Sequence, residues 1–430
     1  MKMEKENCFV KFEYTPQEVK EEINLAIKEF EGKIEEILSL KEEERQFENT
    51  VRRLAVAHGN FFNKCNSISF LYLVHPNKEI RDAAIEAKKE MERSTLRYLT
   101  DVRIYICLKT FSEASSSWKK QDRRLYEKMV QDLERNGMQL GEEERKRVLL
   151  LKTKLTELGI TFNKNVYDVA NTVSFSKEEL EGMPANFLEG LSREGEKYVV
   201  TLKYPHVFPV MTHARRSETR KKMQMVFENR CADRNVQILH EILDLRKECA
   251  ALLGFESDSH FVLDTKLAKT RERVLQILEE TNQALEPAFE VELREMLQAK
   301  RKECEGSEIS LNEKVNSWDV RFLQNLVIKN KFNVDSELVR EYFPFCKVIQ
   351  GVLLVYSQVL SLRFEEEKPP VWHETVRCYS VHDLETNMFF GLFYLDLFPR
   401  EGLISLFFQV FKSVKHEKWE ANTTTLLARW

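Results

Sequence analysis

Apolar residues recur three and four positions apart along most of this chain, and that spacing constrains its fold more than any other feature. Thr15-Pro16-Gln17-Glu18 sets a capping residue before proline at the first helical position, with glutamate three residues after the cap. Behind it Val19, Ile23, Ala26, Ile27, Phe30, Ile34, Ile37 and Leu38 trace one stripe to about Leu40. The same period predicts helices from about Glu79 to Phe111, Trp118 to Asn136, Glu142 to Asp168, Ser217 to Leu253, Thr270 to Cys304 and Phe345 to Leu362. Asn136-Gly137 gives one of them a stop that tolerates left-handed backbone. Only 13 glycines and 10 prolines serve 430 residues, so loops are few. No repeat of fixed period argues for a solenoid. The expected fold class is mainly α.

Two stretches interrupt the helices. Gly182-Met183-Pro184 leads to YVVTLKYPHVFPV, where Pro205 and Pro209 predict an extended segment over Tyr198–Val210. A domain boundary is set here: 1–172 is expected to be a helical N-terminal domain, built of helices only. The second interruption follows the charged, proline-ended linker Glu365–Pro370. There Val376–Val381 and Phe390–Leu397 flank the polar His382–Asn387 and predict an antiparallel β-hairpin.

Composition excludes several classes of partner. With 66 basic and 70 acidic residues, the net charge of −4 offers no footprint for nucleic acid or an anionic membrane. No apolar run approaches the ~20 residues of a membrane span. MKMEKENCF has neither a signal-peptide core nor the acid-free look of a transit peptide, which points to the cytoplasm. Eight cysteines, with no CxxC pair, fit reduced and individually buried thiols.

Several segments then resemble a known family. FNKN at Phe162–Asn165, TLKYPHVFPVM at Thr201–Met211 and ETRKKMQMVFENRC at Glu218–Cys231 match the thimet oligopeptidase and neurolysin family of zinc oligopeptidases. So do LLGFESDSHFVLDTKLAKT at Leu252–Thr270, WDVRF at Trp318–Phe322, EYFPFCKVIQGVLLVYSQVLSL at Glu341–Leu362 and GLFYLDLFPREG at Gly391–Gly402. The resemblance runs from about Thr15 to Gly402. It implies elongated helical lobes around a channel that admits short peptides, a zinc ion on the channel floor, and a small β-hairpin beside it. It also implies a monomer, and it leaves a mitochondrial form open. On this reading 173–402 is the incomplete start of the peptidase catalytic region.

The departure comes after Gly402. The family continues through Lys-Tyr-x-His-Ala and, well downstream, a helix bearing His-Glu-x-x-His; here Leu403-Ile404-Ser405 follows. A catalytic zinc takes three protein ligands and keeps an open position. Two histidines one helical turn apart supply two ligands, and the glutamate between them acts as general base. The nine histidines are His58, His75, His206, His213, His240, His260, His373, His382 and His416, and no two are four residues apart. His240-Glu241, His373-Glu374 and His416-Glu417 begin the motif without its second histidine. Each reads as a histidine beside an acid. GxGxxG, GxxxxGK[ST] and GxSxG are also missing. The sequence therefore assigns no catalytic and no metal-binding residue, and its substrate-binding residues are unknown. Zinc belongs to the full-length family, and none is expected to be bound by this chain. The tail 403–430 is nearly all apolar over LISLFFQVF, with no polar stripe for an amphipathic helix. It is expected to lie outside the family fold, as a terminus made by splicing, read-through or a misplaced gene boundary.

By resemblance the function is hydrolysis of short peptides by a zinc metalloendopeptidase, with this chain expected to be inactive as it stands. The alternative is a truncated, non-catalytic form that binds peptides or partner proteins through its helical wall.

Overall fold

The first helix shows how local chemistry fixes an end. In the computed structural model it spans Pro16–Leu38. The Glu18 N–H donates to Thr15 Oγ1 at 3.2 Å, and the Thr15 N–H donates to Glu18 Oε2 at 2.7 Å. Two donors that a helix start leaves without partners are thus satisfied reciprocally. The backbone hydrogen bond from Thr15 is the largest cause holding the Glu18 carboxyl below its ordinary range. Val19, Ile23, Ala26, Ile27, Phe30, Ile34 and Ile37 are all buried, as the stripe predicts.

The structure describes residues 11–167, 169, 171–304, 314–333, 336–398, 407–411 and 427–429. In chain order the strands are β1 (Thr172–Phe175), β2 (Ser192–Glu194), β3 (Lys197–Thr201), β4 (Leu362–Glu367), β5 (Arg377–Asp383), β6 (Phe389–Asp396), β7 (Phe407–Phe411) and β8 (Leu427–Arg429). The rest of the regular structure is helical, and the chain is mainly α. It divides into two compact units, residues 1–157 with 346–430 and residues 158–345. The boundaries read from the sequence, at Thr172 and Gly402, are of another kind. Composition shifts mark turns, whereas a compact unit is defined by packing between residues far apart in sequence. One helix, Glu142–Tyr167, runs through the first division.

In the first unit the helices Pro16–Leu38, Arg53–Ser69 and Lys78–Leu99 build one apolar core with Val102–Lys109 and Lys120–Glu134. The single helix expected over Glu79–Phe111 is two. Asp101 accepts from the Arg103 N–H at 2.9 Å and caps a new start. The expected hairpin is present: Arg377 opposes Leu395 and Val381 opposes Gly391, with an irregularity between Val381 and His382. Its turn is closed by Asp383, whose carboxylate accepts from the Glu385 and Thr386 N–H groups and the Thr386 hydroxyl.

That hairpin does not stand alone. It forms the middle of a five-stranded antiparallel sheet in the order β4-β5-β6-β7-β8. Part of the stretch read as a linker is strand β4, and two stretches of the tail are strands β7 and β8. The physical reason is that a two-stranded ribbon with an apolar face is marginal in water, while further strands pair its edges. One face, with Cys378, Leu392 and Tyr394, joins the helical core through Phe12 and Trp372. On the other face Tyr379, Phe393 and Leu395 receive Ile349 and Leu353 from the helix Phe345–Leu360. Beyond those contacts that helix leaves Val348, Val352, Val355 and Val359 exposed.

In the second unit β1, β3 and β2 make a three-stranded antiparallel sheet. Tyr198 and Val200 from β3 pack with Val207, Val210 and Met223. The extended segment expected over Tyr198–Val210 ends at Thr201, because Tyr204–His213 is a helix. Pro205 sits in its first turn, where a missing N–H costs nothing. The N–H that Pro209 lacks would have bonded the carbonyl of Pro205, four residues back, so the loss is confined to one bond. Gly182 has φ +91°, and a Cβ there would stand 2.6 Å from the His213 carbonyl oxygen. Only glycine fits that crossing.

Candidate functional site

Five of the seven segments that carry the family resemblance lie in the second unit, and polar residues from several of them meet in its interior. Arg220, on the helix Ser217–Glu228, and Asp319, before the helix Val320–Phe332, are 4% and 1% exposed. Arg220 Nη2 donates to Asp319 Oδ1 at 2.5 Å and its Nε donates to the same oxygen at 3.2 Å. Its Nη1 donates to the carbonyls of Ala214 and Arg215 at 2.6 and 2.9 Å. The Ser217 hydroxyl donates to Asp319 Oδ1 at 2.7 Å, and Asn316 Nδ2 donates to Oδ2 at 3.1 Å. Trp318 Nε1 donates to Ser217 Oγ at 3.0 Å, and the guanidinium lies 4.1 Å from the centre of the Phe322 ring. A buried ion pair survives desolvation only when its remaining donors and acceptors are met, and here they are. The group joins two segments 99 residues apart; its chemistry is that of a clamp.

A second junction links FNKN to the end of ENRC. Asn165 Nδ2 donates to Asn235 Oδ1 at 2.8 Å, Asn235 Nδ2 donates to the Phe162 carbonyl at 3.1 Å, and the Cys231 thiol donates to the Asn165 carbonyl at 2.9 Å. Cys231 takes φ 60°, the left-handed turn between the helices Ser217–Glu228 and Ala232–Leu252. Periodicity cannot pair such residues. The available signal was two charges, Arg220 and Asp319, each set inside a family-like motif.

Among the described residues the histidines are not gathered. His240 is exposed on the helix Ala232–Leu252, and His416 lies outside the described residues. His373 Nδ1 accepts from the Thr375 N–H at 3.3 Å, and His260 Nδ1 is 2.8 Å from Ser257 Oγ. His206 Nδ1 accepts from the Thr201 N–H at 3.2 Å, and His75 Nδ1 from the Asn77 N–H at 3.1 Å. Burial is the main cause holding both of these imidazoles below their ordinary range. His382 is buried on β5, its Nε2 3.2 Å from Ser380 Oγ and 3.6 Å from Glu365 Oε2. Serine and carboxylate sit on the same ring nitrogen, whereas a nucleophile relay needs them on opposite ones. Among the described residues no three His, Cys, Asp or Glu side chains are grouped to hold a metal ion. The described residues do not fit a zinc ion.

Of the cysteines, Cys65, Cys107, Cys231, Cys249 and Cys378 are buried as expected; Cys346 is exposed. Burial pushes the Cys65 thiol up to about 12, so it is inert at neutral pH.

Residues 210–405 match the model of peptidase family M3. The chain is 30% identical over 407 residues to "Thimet-like oligopeptidase" of Dictyostelium discoideum, covering 92% of this chain and 60% of that protein. It is 30% identical over 355 residues to "Saccharolysin" of Saccharomyces cerevisiae, covering 78% of this chain and 50% of that protein. With "Oligopeptidase A" of Haemophilus influenzae it shares 27% identity over 408 residues, covering 90% of this chain and 58% of that protein. The chain thus spans between half and three-fifths of the length of these relatives.

Proposed function

Because the chain belongs to the thimet-like oligopeptidases of peptidase family M3, we propose that it serves the handling of short peptides by a zinc-dependent metalloendopeptidase and that these 430 residues do not by themselves cut the peptide bond. The observation that carries the first part is the M3 match together with relatives named as oligopeptidases over nine-tenths of the chain. The second part rests on the sequence, which holds no His-Glu-x-x-His. Without it the two helical ligands and the interposed base that lower the pKa of a bound water from ~15.7 to ~7 are not supplied. What remains to such a chain is binding: its helices and motif-built core form a wall against which an extended peptide lies, in a cytoplasmic monomer.

The test has two arms on the purified 430-residue chain. Zinc is added and removed by dialysis, and a quenched fluorescent peptide of oligopeptidase type is supplied. No turnover and no stoichiometric zinc are expected, while fluorescence anisotropy of the uncleaved peptide should show saturable binding. Chelator-sensitive turnover that co-elutes with the chain would overturn the claim of inactivity. Absence of any saturable binding would overturn the peptide-wall reading.

A further inference from the structure

One half-buried titratable group lies apart from the motif-built core. His58, on the helix Arg53–Ser69, stacks on the ring of Tyr98 with centroids 4.9 Å apart and planes at 11°. Phe30 lies 6.0 Å away on its other neighbouring helix, and Phe30 itself stacks on Phe61 at 4.4 Å. The imidazole is therefore the fourth ring of an aromatic cluster where the helices Pro16–Leu38, Arg53–Ser69 and Lys78–Leu99 meet. Its Nε2 is buried with no hydrogen-bond partner among the described residues.

A neutral imidazole can leave one nitrogen bare at modest cost, because that nitrogen can be the weak acceptor. An imidazolium has two donors, and a buried donor with no acceptor costs ~1–3 kcal/mol, more when the group is charged. Two features oppose this. The Tyr98 face attracts a cation, worth ~0.5–2 kcal/mol, and Asp132, from the helix Lys120–Glu134, favours the charged form through space. The helix Pro16–Leu38 presents Phe30, and Lys78–Leu99 presents Tyr98, so Asp132 is the counter-charge the ring meets. Burial outweighs it, and the imidazole is held below its ordinary 6.5.

We propose that His58 is an acid-sensitive pin of the N-terminal helical core, seated while neutral and expelled on protonation, so that acidification parts the helix Arg53–Ser69 from Phe30 and Tyr98. The sign follows from linkage. A histidine that is less basic when folded leaves stability intact above ~6.5, and stability falls as pH drops because the unfolded chain takes up the proton first. One such group raises the unfolding equilibrium constant by at most about tenfold per pH unit.

The test reads His58 directly in the intact chain. Exchange of histidine C2 protons, followed by mass spectrometry of peptic fragments, gives a titration midpoint for each ring. The His58 midpoint should lie below 6.5; a value at or above 6.5 overturns the proposal. In parallel, urea unfolding of the wild-type chain and of His58→Phe is compared at pH 7.5 and 5.5. The phenyl ring keeps the stack and cannot titrate. The wild-type chain should lose several-fold more in its folding constant than the variant over this interval. Equal losses would overturn the proposal. Should His58→Phe fail to fold, the exchange midpoint decides alone.

Discussion

At the centre of the helices Pro16–Leu38, Arg53–Ser69 and Lys78–Leu99, Phe30 meets Phe61 and Tyr98 ring against ring, among Ile23, Leu54 and Cys65. At the centre of residues 158–345, a guanidinium and a carboxylate meet at 2.5 Å, 4% and 1% exposed. Both interiors are closed to water, but they depend on different physics. An apolar core draws its stability from area removed from water, spread over many side chains, so no single one is indispensable. A buried ion pair has already met the desolvation cost of two charges and balances it by geometry alone. The first kind degrades gradually. The second fails when one partner goes.

That contrast can be broken most sharply at Asp319. Asp319→Ala leaves the Arg220 guanidinium buried without its counter-charge, and a cost of ~3–5 kcal/mol is expected. Urea unfolding of the variant measures it, and the loss should hardly change between 0.05 and 1 M salt, because a buried pair is poorly screened. Replacing both partners, Arg220→Met with Asp319→Leu, should recover most of the loss, since apolar isosteres carry no desolvation cost. A single variant within ~1 kcal/mol of wild type would show that the clamp is not what holds this unit.

In the first unit the matching change is Ile23→Ala, at a site 1% exposed. Removing the side chain loses transfer energy and leaves a cavity, and ~2–5 kcal/mol is the range for such truncations, nearer its lower end where neighbours can collapse. Thermal or urea unfolding checks it. Val355→Ala, at a site 57% exposed on the helix Phe345–Leu360, is the internal control and should stay within ~0.5 kcal/mol. A loss at Val355 as large as that at Ile23 would mean that the valine stripe is covered in solution.

What the sequence showed and what it hid follow the same division. Helices announce themselves locally: the positions Val19 to Ile37 that periodicity assigned to one stripe are the positions the core buries. Family-like segments were specific when taken together in their order, and the comparisons bear the family out. Their purpose was hidden, because Arg220 and Asp319 are 99 residues apart and only the fold brings them together. The prolines misled at Tyr204–His213, where one lies in a first turn and the other loses only the bond to it. Strand β4 was hidden behind its charges: Glu365, Glu366 and Glu367 read as a linker, yet charge on an outer strand is how a sheet discourages further pairing. Histidines scattered over helices and loops gave no constellation to read, and the described structure assembles none.

The smallest expected effect lies at the start of the first helix, where the chain was most legible. Thr15→Ala removes the hydroxyl that accepts from the Glu18 N–H at 3.2 Å but leaves every contact of the apolar stripe in place. The freed N–H is exposed and water can take it, so the loss is the net worth of a cap, ~1 kcal/mol within a range of 0.5–2. Thr15→Ser retains the oxygen and should recover nearly all of it. Thr15→Asp should do so as well, adding a negative charge at the positive end of the helix. Urea unfolding of the three variants, with hydrogen exchange on the first turn, separates the outcomes. Local exchange should quicken in Thr15→Ala while residues from Ile23 onward keep their protection. Should protection fall along the whole helix by the same factor, the cap would be holding the aromatic core in place, and the distinction between distributed and single-point stability would fail in the unit where it is drawn most firmly.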